Sequence, residues 1–173
     1  GYPLLASMSV RQIARPLMKE LADYCNGSVS LGMRDRLSMV YVETSRSGNG
    51  ISTLPDIGTA VPIAQSVIGR AYIASCTPPE RDAVLNQLKV KEPEMHRKYR
   101  PQIDKALEDI RSRGLCVSHG EIRRDAHAVG VPMRRTADGE AVAFDCAVPT
   151  LLLQQGQLEE DIGPSPAGTV IHI

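Results

Sequence analysis

The sequence predicts a single α/β domain of the α+β type, in which helices pack on an antiparallel β-sheet. Three observations predict this class. The 173 residues, 42% of them hydrophobic, suffice for one core, and no repeat or internal linker divides them. Helical and strand patterns are interleaved along the chain. Most strand patterns come in hairpin pairs, and hairpins build antiparallel sheets.

The first element is a helix over residues 9–25. Apolar side chains recur at helical spacing, Ser9 and Gln12 have the spacing of a capping box, and Gly27 ends the pattern. Pro16 lies inside it and cannot donate a backbone hydrogen bond. We therefore expect a kink there, or two shorter helices that meet.

A β-hairpin and two helices follow. Residues 28–34 alternate polar and apolar side chains, residues 38–44 are rich in Val and Tyr, and a polar turn lies between them, which predicts the hairpin. Residues 51–54 resemble one short strand among glycines and prolines. Helices are predicted at residues 64–76 and 78–88, the second opened by two prolines, which a first turn tolerates.

The second half of the chain predicts one more helix and three strands. Residues 91–100 are charged and contain a proline, so we expect a surface connection there. Residues 102–113 repeat apolar side chains at helical spacing and stop at Gly114. Strands are predicted at residues 115–118, 126–133 and 140–148, the last two joined by an Asp-Gly turn.

Composition excludes several classes of function. Twenty basic residues balance twenty acidic ones, so the net charge of zero does not favour the polyanionic surface of DNA. No apolar run approaches the roughly 20 residues that cross a bilayer, and no signal peptide is recognisable, so we expect a cytoplasmic protein. The lack of Trp and the single Phe leave little surface for stacking bases or sugars.

The hairpin at residues 126–148 contains the strongest indication of a pocket, because its two faces differ in bulk. One face is predicted to be core: Val129, Val131, Met133, Val142, Phe144 and Cys146. The other face has only small residues around one carboxylate, Asp145, and such a face leaves room for a ligand: Ala128, Gly130, Ala143 and Ala147. The alternative is that a helix backbone packs closely on this face while Asp145 points into solvent.

Other side chains allow rival chemistries. A metal site could use His119, Glu121, Asp125 and His127, although their spacing matches no recognised motif and a solvated loop is the favoured interpretation. The arginine pairs at 123–124 and 134–135 could bind phosphate, but with no glycine-rich loop they are expected to be exposed. A cysteine enzyme would need a base beside its nucleophile. The four cysteines are far apart, form no CxxC pair, and are expected to be inert reduced thiols: Cys25, Cys76, Cys116 and Cys146.

Several motifs together resemble the IclR family of bacterial transcription regulators. Gly58 and Pro62 match a Gly-x-x-x-Pro stretch that leads, through Ser66, into a helix bearing Gly-Lys/Arg-Ala at residues 69–71. Residues 13–17 with 21–22 resemble the family's first effector-domain helix, and residues 40–42 its second strand. Further matches are the Arg-x-x-Gly signature at residues 111–114, Glu121 after it, and residues 129–132, where members have Ile-Ala-Ala-Pro.

The resemblance implies a fold and a function. It implies a GAF-like or profilin-like domain whose antiparallel sheet and helices form an effector cavity, with no catalytic role, metal or cofactor. It also implies assembly into dimers or tetramers, and operator binding by an amino-terminal winged helix-turn-helix domain. That domain is absent from this sequence, which therefore looks like an expressed fragment or a stand-alone homologue.

The resemblance also places effector-binding residues on this chain: Val67, Ile68, Ser118, Ala128, Asp145 and Ala147. The acid-sensing members have small residues at the helix start, Asp at 118, Cys at 128, and Ser at both 145 and 147. The ligand therefore does not transfer, and only its class is expected, a small organic acid or an aromatic catabolite. Two other functions remain open, a GAF-like enzyme that uses a Cys or a His/Asp metal site, and a pure oligomerisation module.

Overall fold

The fold is a six-stranded antiparallel sheet with helices on both faces. The computed structural model describes residues 2–48, 57–119, 126–133 and 142–149. In chain order the elements are α1 (Tyr2–Cys25), β1 (Ser28–Asp35), β2 (Ser38–Arg46), β3 (Ala60–Pro62), α2 (Val67–Ser75), α3 (Pro78–Lys91), α4 (Pro93–Arg113), β4 (Cys116–His119), β5 (Ala126–Pro132) and β6 (Val142–Pro149). Across the sheet the order is β3-β2-β1-β6-β5-β4, every pair antiparallel, as the predicted class requires.

Helix α1 is longer than the predicted helix and undivided. It begins at Tyr2 instead of residue 9, and Pro16 lies inside it. Of the two alternatives expected at Pro16, that of two shorter helices is therefore wrong, while the kink stays a prediction. Pro3 lies in the first turn of the helix, where backbone N–H groups have no intrahelical acceptor. Its missing N–H therefore costs no hydrogen bond, and the helix can begin before it. Helix α1 buries one face completely against the sheet, which offsets the hydrogen bond lost at the internal proline: Ala14, Met18, Leu21 and Ala22.

The predicted hairpins are confirmed as β1–β2 and β5–β6, and the strand predicted before the second hairpin is confirmed as β4. Strand β3 was not predicted, because three residues show no alternation; it pairs with β2 through Val40 and Ala60. The short strand expected at residues 51–54 lies outside the described residues, as do the turn at 136–139 and the segment after Pro149.

The surface connection expected at residues 91–100 was wrong, since helix α4 begins at Pro93. Proline is suited to a first helical turn, so it opens the helix and does not prevent it. The charged side chains of this segment lie on the exposed face of α4, while Tyr99 and Ile103 are buried beneath it. Gly114 ends the helix with φ 81°, the left-handed conformation that the Gly114 stop signal predicted.

Two apolar cores lie on opposite faces of the sheet. The first is formed by α1 and by the predicted core face of the β5–β6 hairpin, which is confirmed residue by residue: Val129, Val131, Met133, Val142, Phe144 and Cys146. The second is formed by α2, α3 and α4 against the other face of the sheet. The small-residue face with Asp145 is the face that α2 covers, since α2 contacts both β5 and β6.

Strand β2 contains a β-bulge that reverses its faces. Leu31 of β1 pairs with Glu43 and the next residue, Gly32, pairs with Tyr41, so Val42 has no partner in β1. Because side chains alternate along a strand, one extra residue moves Tyr41 to the face that Thr44 occupies, the α2 side. Glu43 stays on the α1 side, where it accepts hydrogen bonds from Arg11 Nε at 3.0 Å and Arg15 Nη2 at 3.1 Å.

Candidate functional site

The start of α2 lies directly on the sheet because two sheet positions are glycine. A Cβ at Gly130 would stand 2.5 Å from the carbonyl oxygen of Val67, and a Cβ at Gly32 would stand 2.6 Å from Ile68 Cδ1. Real Cβ atoms essentially never come so close to another heavy atom. The two positions predicted at the helix start, Val67 and Ile68, are therefore in contact with the sheet, and both are buried.

The glycine of the Gly-Arg-Ala motif has a similar role on the opposite side of α2. A Cβ at Gly69 would stand 2.1 Å from the carbonyl oxygen of Ile63. Arg70, also buried, donates from Nε to the carbonyl oxygen of Ala64 at 3.0 Å and from Nη2 to that of Gln65 at 3.3 Å. These two residues of the motif thus hold the turn that leads into α2 and set where the helix begins.

The first turn of α2 is capped by a side chain. Ser66 caps it, with its hydroxyl oxygen accepting from the amide of Gly69 at 3.1 Å and its carbonyl oxygen accepting from the amide of Arg70 at 3.0 Å. The amides of Val67 and Ile68 precede Gly69 in the same turn and have no intrahelical acceptor. A helix start with open amides favours an anionic or acceptor group.

Strand pairing brings the other four predicted site residues together on the α2 side. Ser118 pairs with Ala128, and Ala128 pairs with Ala147, so these three lie side by side across β4, β5 and β6. Asp145 lies in the next row of the same face, between Gly130 and Ser30. The structure thus places all six predicted positions on one face of the sheet or in the helix turn that covers it.

Asp145 is the one acidic residue of this face among the described residues, and it is buried, with 5% of its surface exposed. Tyr41 Oη donates to Asp145 Oδ2 at 2.9 Å. Burial raises the pKa of the Asp145 carboxyl to about 7, although Tyr41 and Ser30 act in the opposite direction. Burial and the adjacent carboxylate also raise the pKa of Tyr41, so its hydroxyl keeps its proton and acts as the donor.

The second carboxylate oxygen of Asp145 has no hydrogen-bond partner. Oδ1 is buried, and no donor among the described residues meets hydrogen-bond geometry there. Hydrogen bonding from the side chain and the backbone of Ser30 nevertheless lowers the pKa of the carboxyl, so Ser30 lies beside it although neither donor meets the geometry of a full hydrogen bond to Oδ1. The Ser30 hydroxyl oxygen also lies 3.4 Å from Thr44 Oγ1. A buried, unpaired acceptor costs free energy, and so it marks a place where a further donor would be stabilising.

The alternative interpretation of the small-residue face was half right. The start of α2 does pack on this face at Gly130, as that interpretation required. Asp145 does not point into solvent, because it is buried and hydrogen-bonded to Tyr41. Sequence reasoning missed Tyr41 altogether, since only the β2 bulge turns that side chain toward the carboxylate.

The rival sites gain no support from the described part of the chain. Of the four suggested metal ligands, Glu121 and Asp125 lie outside the described residues, while His119 pairs with His127 between β4 and β5. No group of three or more potential ligands occurs among the described residues. Both arginine pairs also lie outside the description.

The cysteines whose side chains are described are buried free thiols, and their inertness stays a prediction. Cys76, Cys116 and Cys146 are buried and form no disulfide bond. The Cys116 thiol donates to the carbonyl oxygen of Val67 at 3.7 Å, and the Cys76 thiol to that of Tyr72 at 3.4 Å. The side chain of Cys25 lies outside the description. No helix in the described part of the chain is long and apolar enough to cross a membrane.

Comparison with known sequences gives matches along almost the whole chain. Residues 3–163 match the family described as "Bacterial transcriptional regulator IclR C-terminal". The HTH-type transcriptional regulator TsaQ1/TsaQ2 of Comamonas testosteroni is 26% identical over 167 residues, which are 95% of this chain and 60% of that protein.

Comparison with solved structures gives the same fold. An IclR family transcriptional regulator from Brucella abortus is 37% identical with a TM-score of 0.87, over 99% of this chain and 64% of that one. An IclR homolog from Microbacterium hydrocarbonoxydans, complexed with 4-hydroxybenzoate, has a TM-score of 0.70 at 19% identity, over 95% of this chain and 68% of that one. At 19% identity the likeness shows the fold alone. The chain spans less than two thirds of the length of the Comamonas and Brucella proteins.

Proposed function

We propose a function from the premise that this chain belongs to the IclR family of bacterial transcriptional regulators, as the C-terminal domain of that family: it senses a small organic or aromatic metabolite and transmits its presence to an operator-binding domain. In this proposal it performs no chemistry on the ligand and needs no metal or cofactor. The parent protein contacts its operator through an amino-terminal winged helix-turn-helix domain and acts in the cytoplasm.

The observation that carries this proposal is the buried carboxylate beneath the start of α2. Asp145 is enclosed among small residues, and one of its oxygens lacks a donor. Ligand pockets are mostly apolar, with a few polar groups that converge on the ligand. A purely structural face would gain more from an apolar residue at this position, since a buried carboxyl without full pairing is destabilising.

The six residues named from the sequence have distinct roles in the proposed site. Asp145 and Ser118 supply its polar side chains. Val67 and Ile68 supply apolar side chains, and their amides at the start of α2 have no intrahelical acceptor and are suited to an acid group of the ligand. The remaining two positions, Ala128 and Ala147, leave room beside Asp145 because their side chains are small.

Calorimetry on an Asp145→Ala variant tests this proposal. The ligand is first selected by thermal shift from a panel of small organic acids, which includes 4-hydroxybenzoate because a structural relative binds it. If the carboxylate accepts a charge-assisted hydrogen bond, we expect Asp145→Ala to weaken binding by roughly 1.5 to 3 kcal/mol, or about ten-fold to more than a hundred-fold.

The matched control is Asp104→Ala, which removes an exposed carboxylate paired with Arg100 on α4. It should leave the affinity unchanged. Unchanged affinity in a folded Asp145→Ala variant would place Asp145 outside the site. Failure of every panel compound to bind the wild-type protein would count against the sensing function itself.

A further inference from the structure

Strand β2 joins the two faces of the sheet within residues 41–43. Tyr41 lies on the α2 side, where its hydroxyl donates to Asp145 Oδ2 at 2.9 Å. Glu43 lies on the α1 side, where its Oε2 accepts from Arg11 Nε at 3.0 Å and from Arg15 Nη2 at 3.1 Å. Both Tyr41 and Glu43 are buried. A buried, hydrogen-bonded side chain thus lies on each face, and one short backbone segment joins the two.

This backbone segment is the β-bulge. Val42 is the inserted residue and has no cross-strand partner in β1. In a regular strand each residue is held in place by the residue opposite, whereas an inserted residue disrupts the ladder locally. The Cα atoms of Tyr41 and Glu43 are at most about 7 Å apart along the chain. A displacement of Tyr41 therefore reaches Glu43 through backbone that β1 does not hold at Val42.

The other edge of the bulge is bonded to the segment before β3. The amide of Tyr41 donates to the carbonyl oxygen of Thr59 at 3.0 Å, and the carbonyl oxygen of Tyr41 accepts from the amide of Gly58 at 2.8 Å. The Gly58 amide therefore reports on the position of the Tyr41 backbone. On the α1 side, the Nε–H of Arg11 reports in the same way on the position of Glu43.

Glu43 is the buried member of a row of contacts between α1 and β2. The row uses every fourth residue of the helix: after the two arginines that bind Glu43, Lys19 donates to the carbonyl oxygen of Arg46 at 2.8 Å, and Asp23 Oδ1 accepts from the amide of Gly48 at 3.2 Å. The Lys19 and Asp23 side chains are half exposed, and exposed ion pairs contribute little to stability. The position of α1 along β2 therefore depends most on Glu43.

We propose that the β2 bulge couples the two faces of the sheet, so that a change in the contact between Tyr41 and Asp145 alters the hold of Glu43 on α1. Tyr41 is then a positioning residue for α1. The role of this coupling in regulation rests on the proposed function, in which the operator-binding domain precedes α1 along the chain. The coupling itself belongs to the ligand-free domain and acts in both directions, as linkage requires.

Hydrogen exchange measured by NMR on the isotope-labelled 173-residue chain tests the coupling without a ligand. The variant Tyr41→Phe removes only the hydroxyl that binds Asp145. We expect the Nε–H of Arg11 to exchange faster than in wild-type protein by about five-fold or more, the lower end of ordinary coupling between sites. The amide of Ile103, fully buried in α4, measures general loosening of the domain and should change less.

Tyr72→Phe is the matched control, because it removes the hydroxyl of another buried tyrosine on the α2 side. It should leave the exchange of the Arg11 Nε–H unchanged. If Tyr72→Phe accelerates this exchange as much as Tyr41→Phe does, the bulge has no special role and the inference is wrong.

Glu43→Gln tests the coupling in the reverse direction. The amide of Gly58 should exchange about five-fold faster or more, because the Tyr41 backbone that it binds is less firmly held. The amide of Ile63 serves as the internal control, since it donates to the carbonyl oxygen of Leu37 at 3.0 Å beyond the other end of β3. Its exchange should remain as in wild-type protein.

The possible results separate the coupling from the sensing function. Unchanged Arg11 exchange in Tyr41→Phe, or equal acceleration at Arg11 and Ile103, would contradict the coupling. If Tyr41→Phe does not fold, Glu43→Gln decides alone, and unchanged Gly58 exchange in that variant overturns the inference. None of these results affects the sensing function, which calorimetry tests separately. If no ligand binds while the coupling is observed, the coupling stands and only its regulatory role is lost.

Discussion

At the scale of single residues, Asp145 shows how environment determines the behaviour of a side chain. Its sequence neighbours are apolar, and in an unfolded chain its carboxyl would have the ordinary pKa of 3.8. In the fold, burial raises that pKa to about 7, because a charged carboxylate is poorly solvated between the sheet and α2. Tyr41 partly opposes the shift by donating to Oδ2.

This shift predicts that the folded domain loses stability as the pH rises. Between about pH 4 and pH 7 the unfolded chain has an ionised Asp145 while the folded domain keeps it protonated, so the folded state binds more protons and deprotonation favours unfolding. This destabilising contribution of Asp145 is absent below about pH 4 and complete above about pH 7. A raised pKa of this size lowers the free energy of unfolding by about 2–4 kcal/mol across that pH range.

Urea denaturation of wild-type protein and Asp145→Asn at pH 4.5 and pH 8 measures this effect. The asparagine does not titrate, so wild-type protein should lose more stability than the variant between the two pH values. Asp23→Asn is the control: hydrogen bonds from Lys19 and from the Gly48 amide lower the pKa of Asp23, so any contribution from it has the opposite sign. Equal pH dependence in wild-type protein and Asp145→Asn would show that Asp145 does not titrate differently in the fold.

At the scale of elements, the contact between α2 and the sheet decides whether the candidate site exists. The first turn of α2 approaches β5 through Gly130 and β1 through Gly32. On the far side of the sheet, Glu43 fastens β2 to α1 by two arginine contacts. Ordinary alternation would leave Tyr41 and Glu43 on the same face of the sheet, and the bulge between them puts the two side chains on opposite faces.

The variant Gly130→Ala should separate α2 from the sheet. The added methyl group would meet the backbone carbonyl oxygen of Val67, which cannot rotate away as a flexible side chain could. We expect a loss of unfolding free energy of about 1–3 kcal/mol, the usual cost of overpacking, and weaker binding of any ligand selected in the panel. Thermal and urea denaturation measure the stability change.

Gly48→Ala is the matched control, because no atom of the described residues, its chain neighbours apart, lies within 4 Å of the position that its Cβ would take. Its effect should remain within about 0.5 kcal/mol, as for other exposed substitutions. Equal stability of the two alanine variants would mean that α2 is not held against the sheet at Gly130.

At the scale of the whole molecule, assembly of this chain into oligomers stays a prediction. The described sheet has β3 and β4 at its two ends, with α1 on one face and three helices on the other. We expect the 173-residue chain to form dimers or tetramers with closed symmetry. Light scattering from micromolar to near-millimolar concentration measures the mass, and a monomer throughout that range would contradict this expectation.

Local patterns were sufficient for much of this protein. Which residues share a strand face follows from alternation along one strand, so the core face of the β5–β6 hairpin and the small face around Asp145 could be read from the sequence. Gly114 marked the end of a helix because a left-handed residue favours glycine. The motif at residues 58–71 indicated the family, which the match over residues 3–163 bears out.

Only the tertiary structure decided the chemistry of the site. Tyr41 and Asp145 are 104 positions apart and meet because β1 pairs with both of their strands and because a bulge turns Tyr41 inward. No local pattern signals an unpaired residue in a strand. Burial of Asp145 likewise depends on α2, which approaches the sheet at Gly130. The sequence alone determined which side chains of one strand share a face of the sheet. Burial and pairing depend on distant segments that only the folded chain brings together.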